Sequence, residues 1–313
     1  MKNGSHYVYE INSHSELLPH LKQYSNQVDS YLCSPFYFLL TGRKGLKVLN
    51  YDDSSIIFSD HPNLDNETII FPPSTEKEIR ILDFLLSSNR SLLKKNIRII
   101  RCNKEHCKLI NQNILSKFNL YIQDEYLLDW KYPSVFISVQ NVLKMYGKNY
   151  KDLRYNINKV DSSKIVFKKY NHELHFEDSL KLIKKWSKRN ASILFDESNL
   201  AAPYIYILNQ IKNIQNLFGY VLYYKNHFVA FNILDKPYDN EYELTSLVFL
   251  ADVDFKGIPS LMRYKVCEFV KYFHINTIHI GGSETLGLYR FKKKLVPIKQ
   301  LELVSITNKV KQI

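Results

Sequence analysis

A glycine-rich turn near the C-terminal end carries the residues whose types and order best fit a chemical role. It lies within Thr277–Pro297, TIHIGGSETLGLYRFKKKLVP, between a short β-rich run and the start of a helix. The Gly-Gly pair permits a sharp turn, and Ser283 and Glu284 follow it directly. Glu284 could take a proton from an attacking nucleophile or bind an amino group. On sequence alone, the alternative is that Glu284 caps the following helix.

The helix predicted after this turn mixes cationic and aromatic side chains. Arg290, Lys292 and Lys294 could neutralise a phosphate or stabilise an oxyanion, whereas solvated lysines are the ordinary alternative for such a run. Tyr289 and Phe291 alternate with them and would fix the basic groups against a sheet. The candidate catalytic residues are therefore Glu284, Arg290 and Lys294, and the candidate substrate-binding residues of this segment are Ser283 and Lys292.

A second segment with regularly spaced basic residues lies in the middle of the chain. Gly147–Lys159 reads GKNYKDLRYNINK and places Lys148, Lys151 and Arg154 at three-residue spacings. The sequence predicts one helix over Val142–Val160, which would present all three along one face. Lys151 and Arg154 are thus further candidates for binding an anionic substrate.

Positive charge is concentrated in the second half of the chain. The protein has 313 residues and a formal net charge of +12. Residues 1–125 hold 15 Lys and Arg against 14 Asp and Glu, whereas residues 126–313 hold 28 against 17. This asymmetry indicates an anionic partner such as tRNA, an acidic lipid surface or a phosphorylated cofactor. The alternative is a lysine-rich surface without a specific partner.

The Gly-Gly-Ser-Glu turn with its basic helix resembles the C-terminal transferase domain (DUF2156) of phosphatidylglycerol lysyltransferases. The element KDLRYNINK is also similar to the Fem family of peptidoglycan bridge-forming enzymes. Both families use aminoacyl-tRNA and are built from two GNAT-like halves. The resemblance implies an α+β (mixed α/β) fold, with two mixed sheets flanked by helices. It also implies transfer of an amino acid from tRNA to an amine or hydroxyl of a lipid, peptide or small molecule, without a metal or cofactor.

A tRNA donor would require a basic surface for the phosphates of its acceptor stem. The predicted helix Phe176–Arg189 has an apolar side and a side crowded with lysines, which could follow those phosphates. A charged, solvent-facing helix is the alternative. The candidate tRNA-binding residues are Lys148, Lys184, Lys185 and Lys188; DNA is not expected as a partner.

The segment DFKGIP argues against CoA as the donor. GNAT enzymes that use acetyl-CoA bind its diphosphate with backbone N–H groups in a glycine-containing loop at a helix N-terminus. Here Asp254 stands where a basic or amide residue is expected, and Pro259 has no N–H group to donate. An N-acyltransferase that uses acyl-CoA or acyl-carrier protein is the enzymatic rival. A non-catalytic GNAT-like module that binds RNA or a membrane is the other.

The sequence predicts two domains, residues 1–125 and residues 126–313. The resemblance implies that the first is a degenerate GNAT-like unit, in which the sequence shows no catalytic cluster, and that the second is the transferase unit. The pattern predicts a final strand of this second domain over Gln300–Ile306. No apolar run approaches the roughly 18 to 20 residues that span a bilayer, and the N-terminus lacks the apolar core of a signal peptide. A cytoplasmic protein is expected, with peripheral contact to an acidic membrane as a further option.

Overall fold

The computed structural model describes residues 7–25, 27–51, 53–88, 95–124, 132–191, 197–211, 217–238, 240–283 and 285–308. The chain divides into two compact units. The first comprises Met1–Lys131 with Leu301–Ile313, and the second comprises Tyr132–Gln300. Each unit is built around a mixed sheet flanked by helices.

The first unit contains an antiparallel meander, β1 to β4, followed by β5 parallel to β4. A strand from the C-terminal end, β14, lies antiparallel to β5, giving the order β1-β2-β3-β4-β5-β14-β6. The described elements are β1 (Tyr7–Ile11), α1 (His14–Leu21), α2 (Pro35–Thr41), β2 (Leu46–Tyr51), β3 (Ser54–Asp60), β4 (Glu67–Ile70), α3 (Glu76–Ser88), β5 (Asn96–Cys102), α4 (Lys104–Leu109), α5 (Gln112–Lys117), β6 (Tyr121–Asp124) and β14 (Val304–Thr307).

Helix α3 shows how local sequence and packing agree in this unit. A capping box starts it: the Thr75 hydroxyl accepts the Glu78 N–H at 3.3 Å, and the Glu78 carboxylate accepts the Ser74 N–H at 2.5 Å. Apolar residues at helical spacing then form one buried face against the sheet. These residues are Ile81, Leu82, Leu85 and Leu86.

The second unit repeats the plan of the first. The meander β8 to β11 is antiparallel, β12 runs parallel to β11, and β7 lies antiparallel to β12, giving the order β13-β7-β12-β11-β10-β9-β8. The described elements are β7 (Ser134–Ser138), α6 (Val139–Lys144), α7 (Lys151–Asn158), β8 (Ile165–Lys169), α8 (His172–Asn190), α9 (Glu197–Gln210), β9 (Leu217–Tyr224), β10 (His227–Asp235), β11 (Glu243–Ala251), α10 (Ile258–Val270), β12 (Thr277–His279), α11 (Leu286–Lys293) and β13 (Lys299–Leu301). No described helix combines the length and the apolar character that crossing a bilayer requires.

The single helix predicted over Val142–Val160 is wrong. The structure breaks it after α6, where Met145 adopts a left-handed conformation (φ 46°) and Gly147 also has a positive φ of 80°. A left-handed residue ends a helix because it turns the chain out of the helical path. The basic spacing gave no signal for this break, whereas Gly147 did, because a glycine inside a helical pattern often marks a helix end.

The C-terminal strand also differs from the sequence prediction. The segment expected as the last strand of the second domain splits, so that β13 stays in the second sheet while β14 enters the first. Ser305 accepts a hydrogen bond from Arg98 of β5 at 3.0 Å, and Ile306 is buried in the core of the first unit. These contacts assign residues after Leu301 to the first unit, which contrasts with the expected domain of residues 126–313.

Candidate active site

The two parallel strands of the second sheet separate along their length. Glu243 to Thr245 of β11 pair with Thr277 to His279 of β12. Beyond these pairs, β11 continues along β10, whereas the chain after β12 follows β7: the Ile280 N–H donates to Val135 O at 3.0 Å. The carboxyl ends of neighbouring parallel strands form a crevice where α/β proteins bind ligands. This separation, between 246–251 and 280–283, is the candidate active site.

A β-bulge lies on one side of the separation. Ile233 of β10 pairs with Val248 and Leu234 pairs with Ser246, which leaves Leu247 as the extra residue of β11. Bulges redirect backbone groups and are common beside active sites.

A buried polar cluster supports the bulge from the side of α10. Arg263 is 2% exposed and donates to Asn232 Oδ1 at 3.2 Å, and its guanidinium lies 4.3 Å from the centre of the Phe249 ring. Asn232 donates in turn to Ser246 Oγ at 3.0 Å. Sequence reasoning missed this cluster, although a lone Arg in the apolar helix IPSLMRYKVCEFV was a usable signal.

The Gly-Gly turn forms the other side of the separation. Gly281 has φ +72°, a conformation that favours glycine. Ser283 is fully buried and held by backbone bonds to Tyr132, and its hydroxyl has no hydrogen-bond partner among the described residues. A buried hydroxyl without a partner is uncommon in a folded protein, which makes it a candidate for contacting a ligand. Glu284, the predicted catalytic carboxylate, lies outside the described residues.

Helix α11 spans the two sides of the separation. Phe291 stacks on Phe249 of β11 with ring centres 6.1 Å apart, and Tyr289 stacks on Tyr132 at 5.1 Å. These are the aromatic anchors that the sequence predicts for this helix. Its N-cap is Thr285, whose hydroxyl accepts the Leu288 N–H at 3.2 Å. Thr285 therefore makes the capping bond that the sequence alternative gave to Glu284.

Of the predicted basic residues of α11, Lys292 is buried, whereas Arg290 and Lys294 form an outer pair. Lys292 is 8% exposed, and its ammonium donates to Gly282 O and, at 3.2 Å, to Gly281 O. These bonds give Lys292 a structural contact with the turn, in addition to the substrate-binding role predicted for it. Arg290 is exposed and Lys294 is partly exposed, so neither is brought into the buried part of the site.

The N-terminal end of α10, where a CoA-dependent GNAT binds diphosphate, is packed against α7. Gly257 caps α10 with φ +90°, and a Cβ added there would lie 2.8 Å from Val160 Cγ2 and closer still to the Asn156 carbonyl oxygen. Pro259 occupies the first turn and offers no N–H group. The Asn156 carbonyl oxygen and a proline therefore lie at the end of α10, where a diphosphate would need backbone N–H donors.

Two carboxylates occupy the loop before α10. Lys185 of α8 bonds to Asp252 and Asp254 at 2.7 Å each, and Arg189 bonds to Asp254 at 3.2 Å. These hydrogen bonds raise the pKa of Lys185, and the bond from Lys185 lowers the pKa of Asp254. Lys185, predicted to bind tRNA, is therefore engaged in ion pairs within the protein.

The other predicted binding residues lie on helical surfaces. Lys184 and Lys188 of α8 are exposed, as are Lys148 and Lys151. Arg154 does not join them along one face. Its guanidinium donates to Met145 O and, at 3.0 Å, to Gly147 O, and so holds the turn between α6 and α7.

The described residues provide no activated thiol. Burial raises the pKa of the Cys267 thiol to about 12, so this side chain stays protonated at neutral pH. A buried serine and histidine pair was not predicted: Ser134 Oγ lies 2.7 Å from His279 Nε2, at the point where β12 leaves β11. Their 145-residue separation in sequence explains why spacing gave no signal for this pair.

The first unit has the same separation of parallel strands, but side chains fill it. β4 and β5 pair up to Ile70 and Ile99, after which Phe71 and Arg101 follow. Phe38 of α2 stacks on Phe71 at 4.0 Å. Arg101 is fully buried, pairs with Asp29 at 2.6 Å and lies over the Tyr31 ring at 4.4 Å. Aromatic rings and an ion pair thus occupy the position that holds the candidate site in the second unit.

Comparison of the sequence with protein-family models and with curated proteins finds no match. Solved structures do match. A conserved protein of unknown function from Bacteroides thetaiotaomicron VPI-5482 is 14% identical, with a TM-score of 0.74 over 97% of this chain and 100% of that chain. The C-terminal domain (DUF2156) of a putative lysylphosphatidylglycerol synthetase from Agrobacterium fabrum is 11% identical, with a TM-score of 0.61 over 95% and 93%. FemX is 12% identical, with a TM-score of 0.60 over 98% of each chain.

These similarities are similarities of fold. The two mixed sheets, each with a meander and a parallel fifth strand, form a tandem GNAT-like structure of the Fem type. The fold predicted from the resemblance is confirmed.

Proposed function

We propose that this protein is an aminoacyltransferase that moves an amino acid from charged tRNA to an amine or hydroxyl acceptor. The acceptor nitrogen or oxygen bonds to the ester carbon, the ester C–O bond breaks, and the terminal hydroxyl of the tRNA leaves with a proton. Because the ester is already activated, the protein has mainly to orient the substrates and stabilise the oxyanion. A tRNA-dependent reaction of this kind would take place in the cytoplasm.

The structure at the N-terminal end of α10 favours a tRNA ester over acyl-CoA as the donor. A CoA diphosphate needs several free N–H donors and no carboxylate close by. Gly257 packs against the Asn156 carbonyl, Pro259 has no N–H group, and Asp252 and Asp254 occupy the preceding loop. The missing N–H donors disfavour CoA, whereas a tRNA ester needs no diphosphate site.

The turn between β12 and α11 supports the transfer chemistry. The buried Ser283 hydroxyl can donate to the carbonyl oxygen of the donor ester as negative charge develops. The Lys292 ammonium donates to the carbonyl oxygens of Gly281 and Gly282, the two residues before Ser283, and thereby fixes the position of the turn. We assign Glu284, which follows Ser283, as the group that takes the acceptor's proton or binds the donor's amino group.

The outer basic residues would act on the RNA rather than on the reacting carbon. Arg290 is exposed and Lys294 partly exposed on a helix whose aromatic side chains contact both sides of the site. Phosphates of the 3′ end would come close to this helix when the ester lies between the strands. Arg290 and Lys294 would then neutralise those phosphates.

The test is a direct comparison of donors. The full chain is incubated with total charged tRNA and, separately, with acyl-CoA, each with amine and hydroxyl acceptors. Deacylation of tRNA and release of CoA thiol are followed with time. We expect acceptor-dependent deacylation and no thiol release. Thiol release without deacylation would replace this proposal with CoA-dependent acylation, and the absence of both with specific RNA binding would indicate a non-catalytic module.

A further inference from the structure

An exposed tyrosine is held on a rigid turn between α6 and α7. Tyr146 is 79% exposed, although large aromatic side chains are usually at least half buried. Its two neighbours, Met145 and Gly147, both have positive φ, and Arg154 donates to the carbonyl oxygens of both. The backbone on each side of Tyr146 is thus fixed by the same guanidinium, and the ring is presented to solvent from a defined position.

The surface around this ring is basic and carries a second exposed aromatic side chain. Residues 144–159 contain five Lys or Arg and one carboxylate, Asp152. Tyr155 is 60% exposed, and the Lys159 ammonium lies 4.0 Å from the centre of its ring. The exposed lysines of this surface are Lys144, Lys148, Lys151 and Lys159.

Helix α7 connects this surface with the N-terminal end of α10. The α7 carbonyl of Asn156, two residues after Arg154, packs against Gly257 at the N-terminal end of α10. Helix α10 follows β11 after the loop 252–257, at the end where β11 and β12 have separated. Helix α7 thus contacts the Tyr146 turn through the Arg154 side chain and the start of α10 through the Asn156 carbonyl.

We propose that the Tyr146 turn, residues 144–148, binds the single-stranded 3′ end of an RNA by stacking one base on the Tyr146 ring. Stacking platforms combined with basic side chains are the usual way to bind unpaired nucleotides, because every base has an aromatic face and every linkage a charge. The inference rests on the proposed function, which supplies an RNA whose unpaired 3′ end must reach the site. The surrounding lysines contact the phosphates, and Arg154 positions the ring.

The experiment uses two RNA hairpins of the same stem, one ending in an unpaired 3′-NCCA and one blunt. Binding of the full chain to each is measured by fluorescence anisotropy between 50 and 200 mM salt. We expect the wild-type protein to prefer the overhang by about tenfold, the scale of one stacked base. Tyr146→Ala should abolish this preference and leave the salt slope unchanged, while Tyr146→Phe should retain it. Lys148→Gln should lower the salt slope by about 0.7 to 0.9 for both hairpins.

A matched control separates stacking from a general effect of exposed tyrosines. Tyr121 is 49% exposed on β6 of the first unit. Tyr121→Ala should keep the overhang preference. A preference that survives Tyr146→Ala would overturn this inference and leave the proposed donor standing. Binding to phosphatidylglycerol vesicles with no binding to either hairpin would overturn both.

Discussion

Replacing Gly257 by alanine tests how tightly α7 closes the N-terminal end of α10. The residue has φ +90°, which costs about 1–2 kcal/mol for an L-amino acid with a Cβ. The new Cβ would also meet the Asn156 carbonyl oxygen, a backbone atom that cannot rotate away, and would lie 2.8 Å from Val160 Cγ2. Moving a packed helix to relieve such a contact costs about 1–3 kcal/mol more.

The expected loss of stability for Gly257→Ala is therefore about 2–5 kcal/mol. In a domain of this size each kcal/mol lowers the melting temperature by about 2–4 °C, so we expect a fall of about 10 °C in differential scanning calorimetry of the full chain. Hydrogen exchange should locate the effect, because amides of α7 and α10 should exchange faster than those of the first unit.

Two variants separate the two causes. Gly147→Ala introduces a Cβ at φ +80° and ψ 178° with no atom within 4 Å, and so reports the strain of a backbone region that only glycine adopts readily, without a clash. Gly257→Asn lowers the cost of the left-handed conformation but keeps the clash. We expect Gly257→Asn to remain almost as unstable as Gly257→Ala. If asparagine restores the melting temperature, or if alanine lowers it by less than about 2 °C, the end of α10 is open and the argument against CoA loses its support.

Three further predictions concern other parts of the molecule. Glu284→Gln should lower transfer by about 10² to 10⁴ with an unchanged melting temperature, and full activity would refute its catalytic role. Burial lowers the pKa of His106 to about 4, so this side chain should contribute a loss of about 2 kcal/mol of stability from pH 7 to pH 5, beside a similar contribution from the buried His61; urea unfolding should show a fall smaller by that amount for His106→Gln. Gly287→Ala, in α11, should stabilise the protein by about 0.5–1 kcal/mol in thermal unfolding, because the nearest atom to the new Cβ is 3.9 Å away; destabilisation would show a close contact at this helix face.

The sequence predicted those parts of the fold that depend on local pattern. Helix α8 contains the predicted segment Phe176–Arg189, because an apolar stripe at helical spacing is a strong local signal. The break after α6 was missed because Met145 gives no local signal for a left-handed conformation and because Gly147, which does, was given less weight than the basic spacing. The place of β14 was missed because strand pairing across some 200 residues leaves no trace in local pattern.

For the candidate site, the sequence could identify residue types and their neighbours along the chain but not their partners. Lys185 and Lys188 look equivalent as letters on one helix, yet Lys185 is paired with two carboxylates from a loop more than 60 residues away. Lys292 looks equivalent to Lys294, yet its ammonium is buried against the turn. A long, flexible cation can be solvated or buried according to tertiary contacts, and its position in a run of lysines does not decide between them.

The two sheets share one topology, so topology does not explain why the candidate site lies in the second unit. In both sheets, the strand after the meander runs parallel to the last strand of the meander and then separates from it, β5 from β4 and β12 from β11. Beyond the last β4–β5 pair the chain supplies Phe71 and Arg101, and Arg101 forms a buried ion pair with Asp29. After β12 it supplies two glycines and a buried serine hydroxyl that has no hydrogen-bond partner among the described residues. A buried donor without a partner favours a ligand that accepts from it, whereas the polar atoms of a buried ion pair already bond to each other. We therefore attribute the proposed difference in function between the two units to a few residues where the fifth strand separates from the fourth.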